Sequence, residues 1–398
     1  MIDQSTTSSL ENAYDRLGLR PVINASATLT ALGGSRMPPV ALEAMEAAAR
    51  SFIDLREMES RISARIAELT RNEAAYVSSG AAAGIVVSVA ACIAGTNPER
   101  IAGFPLLEGC ERCEVIIHKS QRNGYDYAAR QTGADMIEIG GSAEELEAAI
   151  NPRTACVLWF AGAHYATNAL ALSEVVRIAH DHDVPVLVDA AAQIPPASNL
   201  WRFTKTEGAD IAIFSGGKGI RGPQSSGLVL GRADLIAGCR ANGNPNHSIG
   251  RPMKVGKEEL AGLLAAVEWT LAQDEDALLA SYEQTVQGWI SGVSGIPGVR
   301  AERRFPSEAG QPHGRTIVHI DSPCALTRDQ VAEALWNRNP RIAVAKINDD
   351  AIALNPQTLE EGEDRIVLEA LREVLQAGSS RAPASLSDDH PASIPPPS

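Results

Sequence analysis

Apolar positions along this chain fall into two alternating rhythms. Short continuous runs at 74–77, 115–117, 155–160, 184–188 and 211–214 have the length and β-branched content of strands buried on both faces. Between them, apolar residues recur at three and four: Val40, Leu42, Met45 and Ala49, then Met58, Ile62, Ile66 and Leu69, then Val175, Val176 and Ile178 within 172–182. Strand, helix and strand alternating in this way predict an α/β fold with a mostly parallel sheet covered on both faces. The glycines and polar residues of 231–250 read as its exit, followed by a long helix over 258–273. Past Ser281 the rhythm changes. Strand-like 316–320, helical 328–336, short strands at 342–344 and 351–354 and a closing helix over 365–375 predict a small α+β C-terminal domain.

The expected organisation is therefore a disordered N-terminus (1–13), an N-terminal segment (14–50), a large domain (51–257), a connecting helix with the small domain (258–377) and a disordered tail (378–398). The tail, rich in proline and serine, cannot bury enough apolar surface to order itself.

Chemistry collects where the apolar runs stop. The run 184–188 leads into Asp189, and 211–214 leads into Ser215-Gly-Gly-Lys218-Gly. Ligands of open α/β sheets bind at the carboxyl ends of strands, so an acid and a lysine on two such ends face one site. Gly217, Gly219 and Gly222 spell G-x-G-x-x-G, but Pro223 and the polar residues after it cannot open the helix a dinucleotide site needs. A P-loop requires Ser or Thr after Gly-Lys, and Gly219 stands there. S-x-x-K at 215–218 lacks its Ser-Asp-Asn and Lys-Thr-Gly partners.

A fourth reading is a lysine that holds pyridoxal phosphate as a Schiff base, with Asp189 keeping the proton on the pyridine nitrogen. Upstream, 74–77 runs into Ser78-Ser79-Gly80 and a small-residue helix. Its open N-H groups at Ser79, Gly80 and Ala81 suit a phosphate, and Ser215 lies near enough in sequence to join them. The plain alternative is a surface lysine in a glycine turn, a capping Asp and a tightly packed helix.

The stretches SSGAAAG, VLVDAAAQ and FSGGKGIRGPQSSG together resemble the selenocysteine synthase-like branch of the fold-type I pyridoxal-phosphate enzymes. The resemblance extends to PVINASATLTALGGSRM, IGRPMKVGKEELAGLLAAVE and ALNPQTLEEGED, covering about 14–376. This branch includes tRNA-dependent selenium transferases and a sugar-acid ammonia-lyase. It implies a catalytic Lys218 and Asp189, with Ser79, Gly80, Ala81, Gln121, Asp189, Ser215 and Lys218 around the cofactor. Gln121 falls near the position whose side chain stacks on the cofactor ring, with His118 and Tyr125 close by. His164, Arg251 and Arg36 are the substrate contacts it suggests, with a loop histidine and a basic turn as the plain alternatives. Gln357 lies near where many relatives carry an arginine for the substrate carboxylate.

The implied activity is β-elimination from an amino acid or amino-sugar acid, as in an ammonia-lyase. Racemase, aldolase and selenium transferase are the alternatives. A formal net charge of -14 argues against nucleic acid as a partner, as does the family pattern beginning near Tyr14. The start has no basic n-region or apolar core, and no apolar run is long enough to span a bilayer, so a cytoplasmic location and no membrane partner are expected. Six cysteines read as reduced thiols; Cys110-x-x-Cys113 lacks a second pair for zinc, and no metal is expected. A homodimer or larger homo-oligomer is implied, because this fold completes its site across a dimer interface.

Overall fold

The computed structural model describes residue 14 and residues 16–379. The expected N-terminal disorder lies outside the described residues, as does the tail except Gly378 and Ser379, which continue the helix Glu363–Ser379.

The chain forms two compact units. The larger holds residues 27–284 and 304–315. Its seven strands are β1 (Ala74–Ser78), β2 (Glu114–His118), β3 (Asp135–Ile139), β4 (Thr154–Phe160), β5 (Val186–Asp189), β6 (Ile211–Ser215) and β7 (Gly227–Gly231), in the order β1-β7-β6-β5-β4-β2-β3. Pairs from β3 across to β6 are parallel, whereas β7 runs antiparallel to both β6 and β1. The expectation of a mostly parallel sheet holds. β3 and β7 escaped the sequence pattern: Asp-Met-Ile-Glu-Ile on a sheet edge is only partly buried, and Gly-Leu-Val-Leu-Gly offers three apolar residues between glycines.

Alternation decides which residues meet the helices. Val77, Val157, Val188 and Phe214 point to one face, against helices α1 (Pro39–Ala49), α2 (Leu55–Leu69), α4 (Leu172–His180) and α6 (Lys257–Leu271). Tyr76, Leu158, Leu187, Ile213 and Val229 point to the other, against α3 (Ala81–Ala94) and α5 (Ala233–Asn242). Each fully buried Val, Leu or Ile in these layers contributes about 1.5–3 kcal/mol. The helical rhythm of 38–67 breaks at 50–54, where the Asp54 carboxylate accepts the Arg56 and Glu57 N-H groups at 2.9 and 3.1 Å and starts α2 anew. The expected exit over 231–250 contains α5, so that stretch is not all loop. The larger unit also runs on past 257, because Leu260, Leu263, Ala266 and Val267 of α6 belong to its core.

The smaller unit holds the described residues up to Ser26, residues 285–303 and those from 316 onward. Val22–Asn24 pairs in parallel with Arg341–Ala343, and a four-stranded sheet is built on Arg315–Ile320 and Ala351–Leu354. Helices Arg328–Trp336 and Glu363–Ser379 join its core, with Val318, Ile352, Leu371 and Trp289 buried. This matches the α+β pattern read from the sequence.

Candidate active site

One edge of the seven-stranded sheet gathers the ends of six strands, Ile139 of β3 lying in register with His118. Because β1 is parallel to β6 through the intervening antiparallel β7, Ser78, His118, Phe160, Asp189 and Ser215 all end on it. Asp189 shares the parity of Leu187 and so projects on the α3 side. It is 7% exposed, and its Oδ1 accepts the Ala191 N-H at 3.0 Å. Burial pushes its carboxyl up, against the Ala191 hydrogen bond and the charge of Lys218.

Lys218 follows β6. Burial pushes its ammonium down from the usual lysine range, and the Asp189 charge opposes that. Each group is thus within the other's field. The loops carrying them are laced together, Ala190 N-H to Ile213 O at 2.8 Å and Ser215 N-H to Ala191 O at 3.3 Å. Inside the lysine loop, Gly216 N-H reaches Ser226 O at 2.8 Å, and Gly222 N-H reaches Gly216 O at 2.7 Å. Ser35 Oγ lies 2.7 Å from Lys218 O and 2.9 Å from Gly217 O, bringing the GGSRM stretch onto the lysine. A Cβ on Gly219 would sit 2.0 Å from Ile194 O, which explains a glycine there without any dinucleotide.

Beside this pair, α3 starts at Ala81 with no side chain capping it. Gly227, in register with both Ser215 and Ser78, passes so close that a Cβ would lie 2.7 Å from Gly80 C and 3.0 Å from Ala81 N. Ser79, Gly80 and Ala81 are half-exposed at an open helix start. Ser79, Gly80, Ala81, Asp189, Ser215 and Lys218 therefore lie along one edge of the sheet. The set fits pyridoxal phosphate. An uncapped helix start suits its phosphate, a buried carboxylate suits a protonated ring nitrogen, and the Lys218 amine makes no hydrogen bond to any described residue.

Other predicted residues sit differently. Gln121 is fully buried; its Nε2 donates to Phe160 O at 3.2 Å and Tyr165 O at 3.4 Å, and its Oε1 accepts Phe160 N-H at 3.0 Å. In this arrangement the amide clasps two strand ends. His118 is buried on the opposite side, its Nε2 accepting Leu170 N-H at 3.3 Å, and burial pushes its imidazole down. Tyr125 is exposed. Arg36 is exposed and meets the lysine loop through its main chain, its O accepting Arg221 Nε-H at 2.7 Å. Arg251 is exposed and donates to Asn244 Oδ1 at 3.1 Å. Cys110 and Cys113 are free thiols, and Arg153 Nη2 donates to Cys113 Sγ at 3.1 Å.

The loop after β4 carries His164 and a neighbour the sequence reading passed over, Tyr165. The Tyr165 ring lies 5.4 Å from that of Phe160, whose register partner is Asp189. Burial pushes its phenol up, helped by the charge of Asp189. The His164 ring centroid is 3.8 Å from that of Tyr165. Across this loop runs 304–315: Glu308 O is 3.2 Å from His164 Nδ1, Ala309 O accepts Gln193 Nε2-H at 2.8 Å, and Gln311 Nε2 donates to Ile194 O at 2.9 Å. Gln193 could have been flagged, since it closes the VLVDAAAQ stretch; nothing local announces a segment more than a hundred residues away.

Comparison with known proteins gives the chain's family. The family profile of L-seryl-tRNA selenium transferase matches residues 22–280. A Streptomyces protein, 5'-C-glycyluridine monooxygenase-decarboxylase, is 32% identical over 96% of this chain and 96% of its own. D-glucosaminate-6-phosphate ammonia lyase of Salmonella typhimurium is 31% identical over 92% of this chain and 98% of its own. A solved structure of D-glucosaminate-6-phosphate ammonia-lyase superposes with a TM-score of 0.80 at 30% identity, covering 92% of this chain and 99% of that one. With the lysine, the buried acid and the open helix start on one edge of such a sheet, the chain belongs to the L-seryl-tRNA selenium transferase family of fold-type I pyridoxal-phosphate-dependent enzymes.

Proposed function

We propose that the protein is a β-eliminating ammonia-lyase for an amino acid or amino-sugar acid with a hydroxyl on its β-carbon. The observation that carries this is the facing pair Lys218 and Asp189 in a chain with near full-length likeness to D-glucosaminate-6-phosphate ammonia lyase. Bound pyridoxal phosphate supplies an electron sink that acidifies the α-hydrogen of an attached amino acid. Lys218 would hold the aldehyde carbon and, once displaced, would take the α-proton. Asp189 would keep the ring nitrogen protonated. Ser79, Gly80 and Ala81 would receive the phosphate with Ser215 beside them, and Gln121 positions the loop after β4. His164, Arg36 and Arg251 are assigned to the substrate.

Purified protein and Lys218→Ala test the assignment, each with pyridoxal phosphate and a panel of D- and L-3-hydroxy amino acids and D-glucosaminate 6-phosphate. Ammonia and a 2-oxo acid in equal amounts from one substrate support it. A colourless protein that gains no visible band on adding the cofactor removes it. Loss of α-hydrogen without ammonia would mark a racemase, and release of an aldehyde an aldolase.

The Streptomyces relative supports a second reading, oxidative decarboxylation of an amino acid, because its likeness spans 96% of both chains. Dioxygen uptake with carbon dioxide release, and no change under argon in the ammonia-lyase assay, separate the two. We also propose a cytoplasmic homo-oligomer without a nucleic-acid partner. Support for self-association comes from Val40, Leu42, Phe52 and Ile53, exposed in one short stretch. Sedimentation equilibrium tests it, and a tRNA mobility shift tests the other part.

A further inference from the structure

Elimination of a β-hydroxyl needs two proton transfers, and Lys218 accounts for only one. Hydroxide is a poor leaving group, so an acid must meet the departing oxygen. Among the residues on the sheet edge, His164 is built for this. Its Nδ1 lies 3.2 Å from the Glu308 carbonyl, which can only accept, so Nδ1 carries a hydrogen. That leaves Nε2, which makes no hydrogen bond to any described residue, as the nitrogen that gains and loses a proton. The ring is exposed, resting at 3.8 Å on Tyr165, which itself packs on Phe160 beside Asp189.

The carbonyl that orients His164 is itself fixed. Ala309 O takes the Gln193 amide at 2.8 Å, Gln311 reaches Ile194 O at 2.9 Å, and the Arg315 guanidinium pairs with the Glu308 carboxylate at 3.3 Å. Gly310 sits so tightly that a Cβ would be 2.8 Å from Ala163 N. The segment 304–315 is thus riveted to the carboxyl ends of β4 and β5, four residues past Asp189 in the case of Gln193.

We propose that His164 is the proton donor to the β-leaving group, oriented by the Glu308 main-chain carbonyl and backed by the Tyr165 ring. This rests on the ammonia-lyase reading. Lys218 takes the α-proton, the Cα–H electrons form the Cα=Cβ bond, and the Cβ–O bond breaks. The departing oxygen takes the proton from His164 Nε2 and leaves as water, with His164 neutral on Nδ1. The proton on Lys218 returns to the β-carbon, and one proton of the substrate nitrogen passes through water back to His164. A second water hydrolyses the C=N bond to ammonia and a 2-oxo acid, so no oxidant or reductant is consumed. The class of substrate follows: a 2-amino-3-hydroxy acid whose leaving group requires protonation.

The test uses full-length protein loaded with pyridoxal phosphate, His164→Asn and His164→Ala. Three readouts are taken in deuterated water: α-hydrogen exchange by NMR, ammonia from the hydroxy substrate, and ammonia from β-chloroalanine, whose chloride leaves unaided. Expected is ammonia from the hydroxy substrate down by about 10²–10⁴-fold, with exchange and chloride elimination within about threefold of wild type. Added imidazole restores His164→Ala in part. Nitrogen-15 shifts of the wild-type imidazole should report the hydrogen on Nδ1. If both variants release ammonia from the hydroxy substrate as wild type does, or lose all three readouts together, the inference is overturned while the ammonia-lyase reading stands on the wild-type data. If wild type eliminates neither hydroxide nor chloride from any substrate, the ammonia-lyase reading fails and this inference with it.

Discussion

Asp189 and Asp210 sit at opposite edges of the same sheet with nearly the same burial, 7% and 6% exposed. Asp210, at the amino end of β6, is fully engaged. Its Oδ2 accepts Val186 N-H at 2.7 Å and His180 Nε2 at 2.9 Å, and its Oδ1 accepts Arg232 Nη1 at 2.7 Å. Asp189 has one main-chain N-H and, facing it, a lysine itself disfavoured by burial. A buried carboxylate whose oxygens are met by the protein holds the fold. One left with capacity, beside a lysine without a hydrogen-bond partner among the described residues, is held ready for something else.

The largest effect expected on this contrast is at Lys218. Lys218→Ala should lose the visible cofactor band and lower turnover by more than about 10⁴-fold, read by absorption and ammonia release. Next come the two aspartates, exchanged one at a time. Asp210→Asn should destabilise the cofactor-free protein by about 1–3 kcal/mol, measured by urea unfolding, because it weakens the hydrogen bonds of a buried carboxylate to the half-exposed Arg232 and His180, and it should leave turnover per folded molecule within about threefold. Asp189→Asn should do the reverse, costing about 10²–10³-fold in turnover while shifting stability by no more than about 1 kcal/mol. Equal stability losses would break the comparison.

A smaller effect sharpens it through pH. Lys218 is held below its ordinary 10.5, so between its folded value and 10.5 the folded protein binds fewer protons than the unfolded. The stability attributable to this group therefore rises with pH across that window and is lost as pH falls through the folded value. Since the Asp189 charge raises Lys218, Asp189→Asn should move the half-point for cofactor capture to lower pH, followed by stopped-flow absorbance. A shift to higher pH would mean the two groups do not share a field. Smallest is Ser35→Ala, which removes one hydroxyl from the Lys218 and Gly217 carbonyls. It should cost about 1 kcal/mol in urea unfolding and leave the chemistry in place.

Most of the candidate site was legible in order along the chain. Asp189, Lys218, Ser79, Gly80, Ala81 and Ser215 each follow an apolar run, and a parallel sheet brings such ends to one edge. Gln121 was harder, because a position near a strand end says where a residue sits and not what its amide will bond; here Phe160 and Tyr165 take both ends of it. Strand direction was also hidden. β7 has the same buried apolar pattern whichever way it runs, and only its pairing with β6 and β1 makes it antiparallel.

The sequence by itself determined the layers, the lysine and the acid at two strand ends, and the turn before an open helix start, because periodicity and strand ends are local properties of the chain. Tertiary structure decided what surrounds them. Ser35 reaches Lys218 from 183 residues away, and Glu308 reaches His164 from 144. Contacts at such separation are set by how packed elements come together and leave no periodic trace in either segment. That is why the lysine could be read directly, and the carbonyl that orients a histidine could only be seen.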